Sequence, residues 1–283
     1  MKKKFFLLFF VMGIIIFCGC DKNISKISVI SREEGSGTRG AFVDILDLRR
    51  KFGETIKDMT TKDSIIANKM DVVLVNVVSD KNAIGYVSFN AANSNVKPLK
   101  IDGISPTEEN IKNNLYDIVR SFGIVLKNQN NDLINDFISY IFSKDGQIIV
   151  EEDYIPIEKN LSKYEEKDLR GKIYISGSSS VAPLIEKIVE KYLKVNKNIV
   201  VEMQISDSTS GILSVIDGSC DIALSSREIN DEEKRSGLKK IDIAIDGLAI
   251  IVNNKNKVEN ITKENVKKIF SGEITDWNYF LNF

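Results

Sequence analysis

The feature that most constrains the fold of this chain is a junction that occurs three times: a strand, a short loop of Ser, Thr and Gly, and then a helix. The loops lie at residues 35–38, 177–181 and 206–211. Strand-like and helix-like stretches alternate along most of the chain, which predicts an α/β fold. Each junction brings unpaired backbone N–H groups and the positive end of a helix dipole to one point. Because ligands bind at the carboxyl edge of such sheets, we expect an anion site built from all three loops.

The first twenty residues predict export. A basic start at residues 2–4 precedes an apolar run at 5–18, which is short for a membrane helix and suits a secretory signal. The run ends in "FCGC", which is similar to a bacterial lipobox. We therefore expect residues 1–19 to be removed, Cys20 to carry lipid and residues 20–26 to form a tether. An uncleaved anchor helix is the alternative, and either way the rest of the chain lies outside the cytoplasmic membrane.

Composition excludes several kinds of site. The chain has no histidine, so Ser-His-Asp triads, Cys-His pairs and histidine-ligated metals are excluded. Past Cys20 only Cys220 remains, so the mature chain has no disulfide of its own, and Cys220 is interpreted as a small buried hydrophobic residue. The 39 basic and 40 acidic residues form no basic stripe for nucleic acid. No nucleophile–base pair and no calcium loop are visible, so we expect no enzyme, metal or cofactor.

Residues 35–40, "GSGTRG", satisfy the G-x-G-x-x-G pattern of dinucleotide-binding folds. In those folds the strand runs directly into the first glycine, whereas here Arg32, Glu33 and Glu34 intervene and place two carboxylates beside the pyrophosphate site. The other two loops would also be unused. We therefore favour one compact oxyanion and keep an NAD-dependent oxidoreductase as a remote alternative. Arg32 is the only cation predicted beside a glycine loop, where it can bind an oxyanion through its fork or pair with either glutamate.

The sequence also predicts the positions of individual elements. Strands are expected at residues 26–31, 83–89, 121–127, 172–176, 199–206, 220–226 and 248–253. Helices are expected at residues 39–52, 63–80, 105–119, 133–152, 182–195, 212–218 and 262–272. Ser105, with Pro106 and Glu108, predicts a capping box, and Thr262 predicts an N-cap. The polar residues 157–171 are expected to be an exposed connection.

Seven segments closely resemble the phosphate-binding lipoproteins of bacterial Pst-type ABC transporters. They are "SREEGSGTRGAF", "NAIGYVSF", "LKIDGISPTEENIKN", "YISGSSSVAPLIEKIVEKY", "VIDGSCDIALSSREINDEEKRSGLK", "IAIDGLAIIVN" and "KIFSGEITDWN". The resemblance runs from about residue 27 to 279 and is weakest at 45–82. It implies a type II periplasmic-binding-protein fold, in which two α/β lobes joined by a hinge enclose a ligand cleft. It also implies a lipid-anchored monomer that captures inorganic phosphate and delivers it to a membrane ABC permease.

The order of the segments differs from that family. There, the part similar to residues 171–279 comes first and the part similar to 27–158 follows. A circular permutation is the simplest explanation, and a rearranged or truncated tandem gene is the alternative. The permuted order implies one lobe at 24–122 plus 252–283, with the GSGT loop, and a contiguous lobe at 123–251, with the SGSSSV and SDSTSG loops. The strands near "SFGIVLK" and "LAIIVN" would form the hinge.

The resemblance also implies the phosphate contacts. They fall on Arg32, Ser36, Gly37, Thr38, Ser179, Ser180, Val181, Ser208 and, as a one-residue slip, Thr209. Ser226 stands where some members have an aspartate that accepts the phosphate proton. The nearest carboxylate able to replace it is Asp246, with Asp207 as a further candidate. Another tetrahedral oxyanion, such as sulfate or molybdate, or a sensor of phosphate without transport, remains an alternative.

Overall fold

The computed structural model describes residues 25–53, 55–127, 131–157 and 161–280, so the predicted signal peptide and Cys20 lie outside it. The strands are β1 (Ser28–Arg32), β2 (Arg49–Phe52), β3 (Thr55–Asp58), β4 (Ile65–Ala67), β5 (Ala83–Ser88), β6 (Val96–Pro98), β7 (Lys100–Ile101), β8 (Val119–Lys127), β9 (Ile155–Pro156), β10 (Gly171–Ser178), β11 (Ile199–Ser206), β12 (Ile222–Ser225), β13 (Leu238–Asn253) and β14 (Asn260–Ile261). The helices are α1 (Gly37–Ile45), α2 (Met70–Ser79), α3 (Glu108–Lys112), α4 (Asp132–Ile141), α5 (Lys144–Glu151), α6 (Ala182–Val195), α7 (Ser208–Asp217), α8 (Asp231–Arg235) and α9 (Lys263–Phe270). Within the described ranges, we find no helix with the length and apolar character needed to cross a membrane.

A long mixed sheet connects the two halves of the molecule. Its strand order is β11-β10-β12-β8-β13-β5-β1-β4, with β6 and β9 also paired to β13. The 16-residue strand β13 pairs antiparallel with β8 through its first part and with β5 through its second part. Strands β1 and β10 each lie between parallel neighbours, so the chain leaves both at a carboxyl edge and enters a helix.

The boundary between two large hydrophobic clusters lies at β8 and β13, the two strands that pass from one half of the molecule to the other. Along β8, Ile118 just before the strand packs in the first cluster and Phe122 packs in the second. Along β13, Ala244 belongs to the second cluster and Leu248 to the first. The α/β architecture of two packed halves, predicted from the sequence, is confirmed. The strands predicted at 121–127 and 248–253 are present within β8 and β13.

Several helices predicted in the weakest part of the resemblance are wrong in extent. The helix predicted over 39–52 ends at Ile45, and Asp47 adopts a positive φ of 50°. The chain then forms the hairpin β2–β3, which turns at Gly53 with a φ of 61°. In the range 63–80 only α2 is helical. Ile65 and Ile66 instead extend the sheet edge as β4, where the β-branched residues pair with β1.

Capping residues explain the other differences between the predicted and the observed helix bounds. Ser105 is not the N-cap of α3, because Thr107 has the extended backbone and its side chain accepts from the Asn110 N–H. The single helix predicted over 133–152 is two helices, because the Ser143 side chain accepts from the Gly146 N–H and thereby caps a second helix that begins at Lys144. Helix α7 begins four residues before the predicted start, because Asp207 caps it. The predicted N-cap at Thr262 is confirmed.

The connection at 157–171 contacts the second half of the molecule at several points in its described part, residues 161–170, and Tyr164 makes one of these contacts. Most of its side chains are exposed, but Tyr164 is half-buried and donates a hydrogen bond of 2.7 Å to Asp136 Oδ2. Asp136 is fully buried on α4 and also accepts from the Tyr192 hydroxyl at 2.9 Å. The connection is therefore exposed, as predicted, but it is held to the second cluster by a buried carboxylate.

The described ends of the chain lie side by side. The Trp277 N–H donates to the Ser25 carbonyl at 2.9 Å, and the Ile27 N–H donates to the Thr275 carbonyl at 2.8 Å. The Ser25 hydroxyl donates to Asp276 at 2.5 Å. Chain ends that are close together are a structural requirement of a circular permutation.

Candidate anion-binding site

The first loop joins β1 to α1 and presents the start of a helix to the centre of the molecule. Gly35 has a φ of 86°, a conformation that favours glycine. Ser36 caps α1 by accepting from the Arg39 N–H, although at a long 3.4 Å. Because Gly37 and Thr38 occupy the first turn, their N–H groups are among those that a helix leaves without internal partners. This end of α1 therefore favours an anion.

Arg32 is 1% exposed at the end of β1. Its Nε and NH2 groups donate to the Glu33 carboxylate, both at 2.8 Å, so the predicted ion pair with a neighbouring glutamate exists. NH2 also donates to the Ser179 hydroxyl at 3.4 Å. The buried NH1 group has no hydrogen-bond partner within the described ranges. Pairing with Glu33 thus orients the guanidinium and leaves one donor for a ligand.

Hydroxyl groups from the second half of the molecule meet this loop. The Thr38 and Ser180 oxygens lie 2.8 Å apart, and the Ser178 and Ser226 oxygens lie 3.0 Å apart. The Ser226 N–H donates to Ser208 Oγ at 3.2 Å, so the Ser208 hydroxyl proton remains able to donate elsewhere. These side chains are buried. A buried hydroxyl that donates to neither a ligand nor a neighbouring residue loses its hydration without compensation, which costs free energy.

Gly37 is required by the closeness of these hydroxyls. A Cβ added there would lie 2.1 Å from Ser208 Oγ and 2.4 Å from Ser226 Oγ. Both hydroxyls therefore approach the backbone of α1 more closely than any side chain at position 37 would permit. The glycine pattern that resembles a dinucleotide fingerprint is explained here by contact between two loops.

The structure brings the sequence-predicted residues into one cluster, with different local partners. The Thr209 N–H and hydroxyl both donate to the Gly35 carbonyl, at 3.3 and 3.1 Å, which joins two of the loops. The Val181 N–H donates to the Ser178 carbonyl at 3.1 Å. The side chains inside the cluster are those of Arg32, Thr38, Ser180, Ser208 and Ser226, whereas the buried Ser36 side chain caps α1. Asp207 caps α7 by accepting from Ser210 and is thereby engaged.

Arg120 is a site residue that the sequence reasoning missed. It lies on β8 directly opposite Asp246 on β13, and its NH1 group donates to Thr38 Oγ1 at 2.7 Å. The prediction that Arg32 is the only cation beside the glycine loop is therefore wrong. A charged residue inside the apolar run "IVRSFGIVL" was the available sign, since buried strands rarely hold an arginine without a partner.

Asp246 is fully buried and has partners at both oxygens. Oδ1 accepts from the Ser88 hydroxyl at 2.6 Å, and Oδ2 accepts from Arg120 Nε at 2.9 Å. Burial raises the pKa of the Asp246 carboxyl, and the Arg120 charge partly offsets that rise. Burial likewise lowers the pKa of Arg120 against the opposing effect of Asp246. Asp246 is therefore linked to Thr38 through Arg120, and its role as acceptor of the phosphate proton stays a prediction.

Comparison with known proteins shows which protein family the chain belongs to. A family model described as a PBP superfamily domain matches residues 22–145 and 162–282, so the chain belongs to that superfamily. A Streptococcus agalactiae protein named Phosphate-binding protein PstS 2 is 46% identical over 277 residues, covering 95% of this chain and 94% of the relative. The chain therefore belongs to the family of these phosphate-binding proteins.

A solved structure supports the same assignment. The crystal structure of a phosphate-binding protein of a phosphate ABC transporter from Streptococcus pneumoniae superposes with a TM-score of 0.75 at 38% identity, covering 90% of this chain and 99% of that one. A Staphylococcus saprophyticus protein named Phosphate-binding protein PstS matches over a much shorter part of the chain. It is 41% identical over only 114 residues, which is 38% of this chain and 36% of that protein.

Proposed function

We propose that this protein is an extracytoplasmic solute-binding protein, not an enzyme, that captures inorganic phosphate between its halves and delivers it to an ABC permease. One observation carries the proposal. In the described part of the chain, the buried NH1 group of Arg32 has no hydrogen-bond partner, and the NH2 group of the same guanidinium donates to the Ser179 hydroxyl beside the hydroxyl cluster. The named phosphate-binding relatives support the choice of anion.

The proposed contacts are sufficient for tight binding. Arg32, the start of α1 and the hydroxyls of Ser36, Thr38, Ser180 and Ser208 supply donors and no carboxylate that faces the anion unpaired. Charge-assisted hydrogen bonds contribute about 1.5–3 kcal/mol each. A micromolar dissociation constant requires about 8 kcal/mol, so a few such bonds are enough.

Selectivity against other tetrahedral oxyanions needs an acceptor, because phosphate at neutral pH keeps a proton that sulfate lacks. The Ser226 hydroxyl can accept but can also donate, so alone it discriminates weakly. Asp246 remains the proposed source of preference, through its negative charge beside the cluster. If this carboxylate contributes nothing, Ser226 or Asp207 has to supply the preference for phosphate, and a site without any such preference would favour sulfate or molybdate as the alternative ligand.

Calorimetric titration of the soluble chain, from Asp21 onward and freed of phosphate by dialysis, tests the proposal. We expect a micromolar or tighter constant for phosphate, with sulfate and molybdate as weak competitors. Absence of heat at millimolar phosphate would reject the function. NAD binding that persists in saturating phosphate would instead support the oxidoreductase alternative.

An experiment in cells distinguishes delivery of phosphate to a permease from sensing of phosphate. If the protein delivers phosphate, cells without the protein should lose phosphate uptake although the permease is still present. Unchanged uptake combined with altered expression of phosphate-responsive genes would favour the sensor.

The lipid anchor also belongs to this proposal. Residues 21–26 can span at most about 20 Å, so a lipid on Cys20 would keep the first strand close to the bilayer. Cys20→Ser is expected to release the protein into the medium and to abolish incorporation of labelled fatty acid. Retention of the variant in the membrane would indicate an uncleaved anchor helix.

We also propose two lobes, for which the sequence predicted residues 24–122 plus 252–283 and residues 123–251. The change of core cluster near Phe122 supports the first bound. The packing of Leu248 and Ile250 in the first cluster supports moving the second crossing to residues 245–247.

A further inference from the structure

Arg120 is placed where the two halves of the molecule meet. Its strand β8 pairs with β13 across the crossing, with Arg120 and Asp246 directly opposite each other. The Arg120 side chain is 2% exposed, and its guanidinium lies 4.8 Å from the centre of the Phe122 ring. An arginine this deeply buried needs a specific arrangement of partners to offset the loss of hydration.

The donors of Arg120 point in two directions. Nε donates to Asp246 Oδ2 at 2.9 Å, and NH2 lies 2.8 Å from the same oxygen without hydrogen-bond geometry. NH1 points the other way and donates to Thr38 Oγ1 at 2.7 Å. Asp246 is itself fixed from its far side by the Ser88 hydroxyl. The chain of contacts Ser88–Asp246–Arg120–Thr38 thus runs from the end of β5 to the first turn of α1.

The hydrogen bond from Arg120 fixes the direction of the Thr38 O–H bond. A guanidinium has no acceptor, so the Thr38 oxygen must accept from Arg120. The hydroxyl proton of Thr38 is then directed away from Arg120, towards Ser180 or towards an anion in the cluster. Without Arg120 the hydroxyl is free to rotate and to turn its lone pairs towards the unprotonated oxygens of the anion, which cannot donate to it.

We infer that Arg120 is a positioning residue of the anion site, which holds the Thr38 hydroxyl as a hydrogen-bond donor to the bound oxyanion. The inference rests on the proposed function, because it concerns the same site. Asp246 orients the guanidinium, and Ser88 orients Asp246. The assignment requires that Arg120 and Thr38 contribute to affinity jointly and not independently.

A double-mutant cycle on phosphate affinity tests this. Arg120→Met together with Asp246→Leu replaces the buried pair with apolar side chains, which proteins often tolerate without loss of stability. We expect this pair of changes to weaken phosphate binding about 10- to 100-fold, and Thr38→Val to weaken it by a similar factor. In the Thr38→Val background the same pair of changes should cost at least about threefold less than in the unmodified chain, because the hydroxyl that Arg120 orients is gone and only the separate contribution of Asp246 is lost.

Two further variants separate positioning from support of the fold. Arg120→Lys should recover part of the lost affinity, because an ammonium can donate to Thr38 but cannot also engage Asp246 through a planar fork. Ser88→Ala removes one hydrogen bond from Asp246 and leaves its contact with Arg120, so phosphate affinity should fall by less than in the Arg120→Met/Asp246→Leu chain.

The outcomes are distinct. If the unmodified chain binds no phosphate, the proposed function fails. If it binds but the Arg120→Met/Asp246→Leu chain binds equally well, or if the losses from Arg120 and Thr38 simply add, the positioning role is overturned. Circular dichroism melts of each variant establish that the chains compared are folded.

Discussion

At the scale of single residues, the sequence predicted the hydroxyl groups of the site but not one of its cations. Ser, Thr and Gly directly after a strand are a local pattern, visible within five residues. Arg120 acquires its role only by pairing with Asp246, which is 126 residues away along the chain. An arginine in an apolar run indicates that a partner exists, but a contact of that separation leaves no trace in local periodicity, so the partner could not be predicted from one sequence.

Arg32→Ala is expected to weaken phosphate binding by about 2–3 kcal/mol, because it removes a charged donor and leaves Glu33 unpaired beside the anion. Arg32→Lys should restore only part of that loss, since lysine lacks the planar fork. Arg50→Ala, on the exposed hairpin, is the matched control and should bind phosphate normally. Titration calorimetry measures all three, and wild-type affinity of Arg32→Ala would show that the site is misplaced.

Asp246→Asn is expected to lower phosphate affinity and to reduce the ratio of phosphate affinity to sulfate affinity. Removing the carboxylate removes both an acceptor and a negative charge that repels a fully deprotonated anion. Competition titrations with the two anions measure the ratio. Equal losses for both would limit Asp246 to orienting Arg120, and unchanged binding would leave Ser226 or Asp207 as the source of preference.

Cys220 is expected to react slowly with iodoacetamide at pH 8. Burial, with a smaller effect of the Asp221 charge, raises the pKa of the Cys220 thiol to about 11, so little thiolate is present at that pH. The soluble chain from Asp21 has no other cysteine, and mass spectrometry follows the modification. The rate should increase as the pH is raised towards 11 and should be high in urea at pH 8. Cys220 is half-buried, and a fast reaction of the folded chain at pH 8 would contradict the raised pKa of its thiol.

At the scale of elements, strands and helices with strong periodicity were predicted well and the region at 45–82 was not. Helix α6 has the predicted bounds because its apolar face and Pro183 are local signals. The hairpin β2–β3 has mostly exposed side chains, so no buried face imposes a period of two on its sequence. Strand β4 depends on pairing with β1, which is a tertiary contact.

The connection at 157–171 provides a test at this scale. Burial and the hydrogen bond to Asp136 raise the pKa of the Tyr164 phenol, so it stays protonated and donates. Tyr164→Phe is expected to reduce the free energy of unfolding by about 1–2 kcal/mol, because the buried Asp136 carboxylate loses a donor. Phosphate affinity should not change, since the anion site is built by other loops. Urea denaturation measures the first effect, and unchanged stability would mean that Lys167 or water replaces the phenol.

At the scale of the whole molecule, the segment order and the joined ends are consistent with a permuted fold. The match to the Streptococcus agalactiae relative runs through 277 residues in one direction, so that protein shares the order found here. The staphylococcal match stops after 114 residues, as expected where only one of two blocks aligns. The neighbouring positions of Ser25 and Trp277 agree with new ends in a former loop, and the connection through Tyr164 would join the old ones.

The most direct test of the proposed anion site is a crystal structure of the chain from Asp21 bound to arsenate, which has the shape and charge of phosphate and scatters X-rays anomalously. We expect one strong anomalous peak, within hydrogen-bond distance of the Thr38 and Ser180 hydroxyls and of the Arg32 guanidinium. An anion that binds in solution but gives its peak elsewhere in the molecule would contradict this expectation.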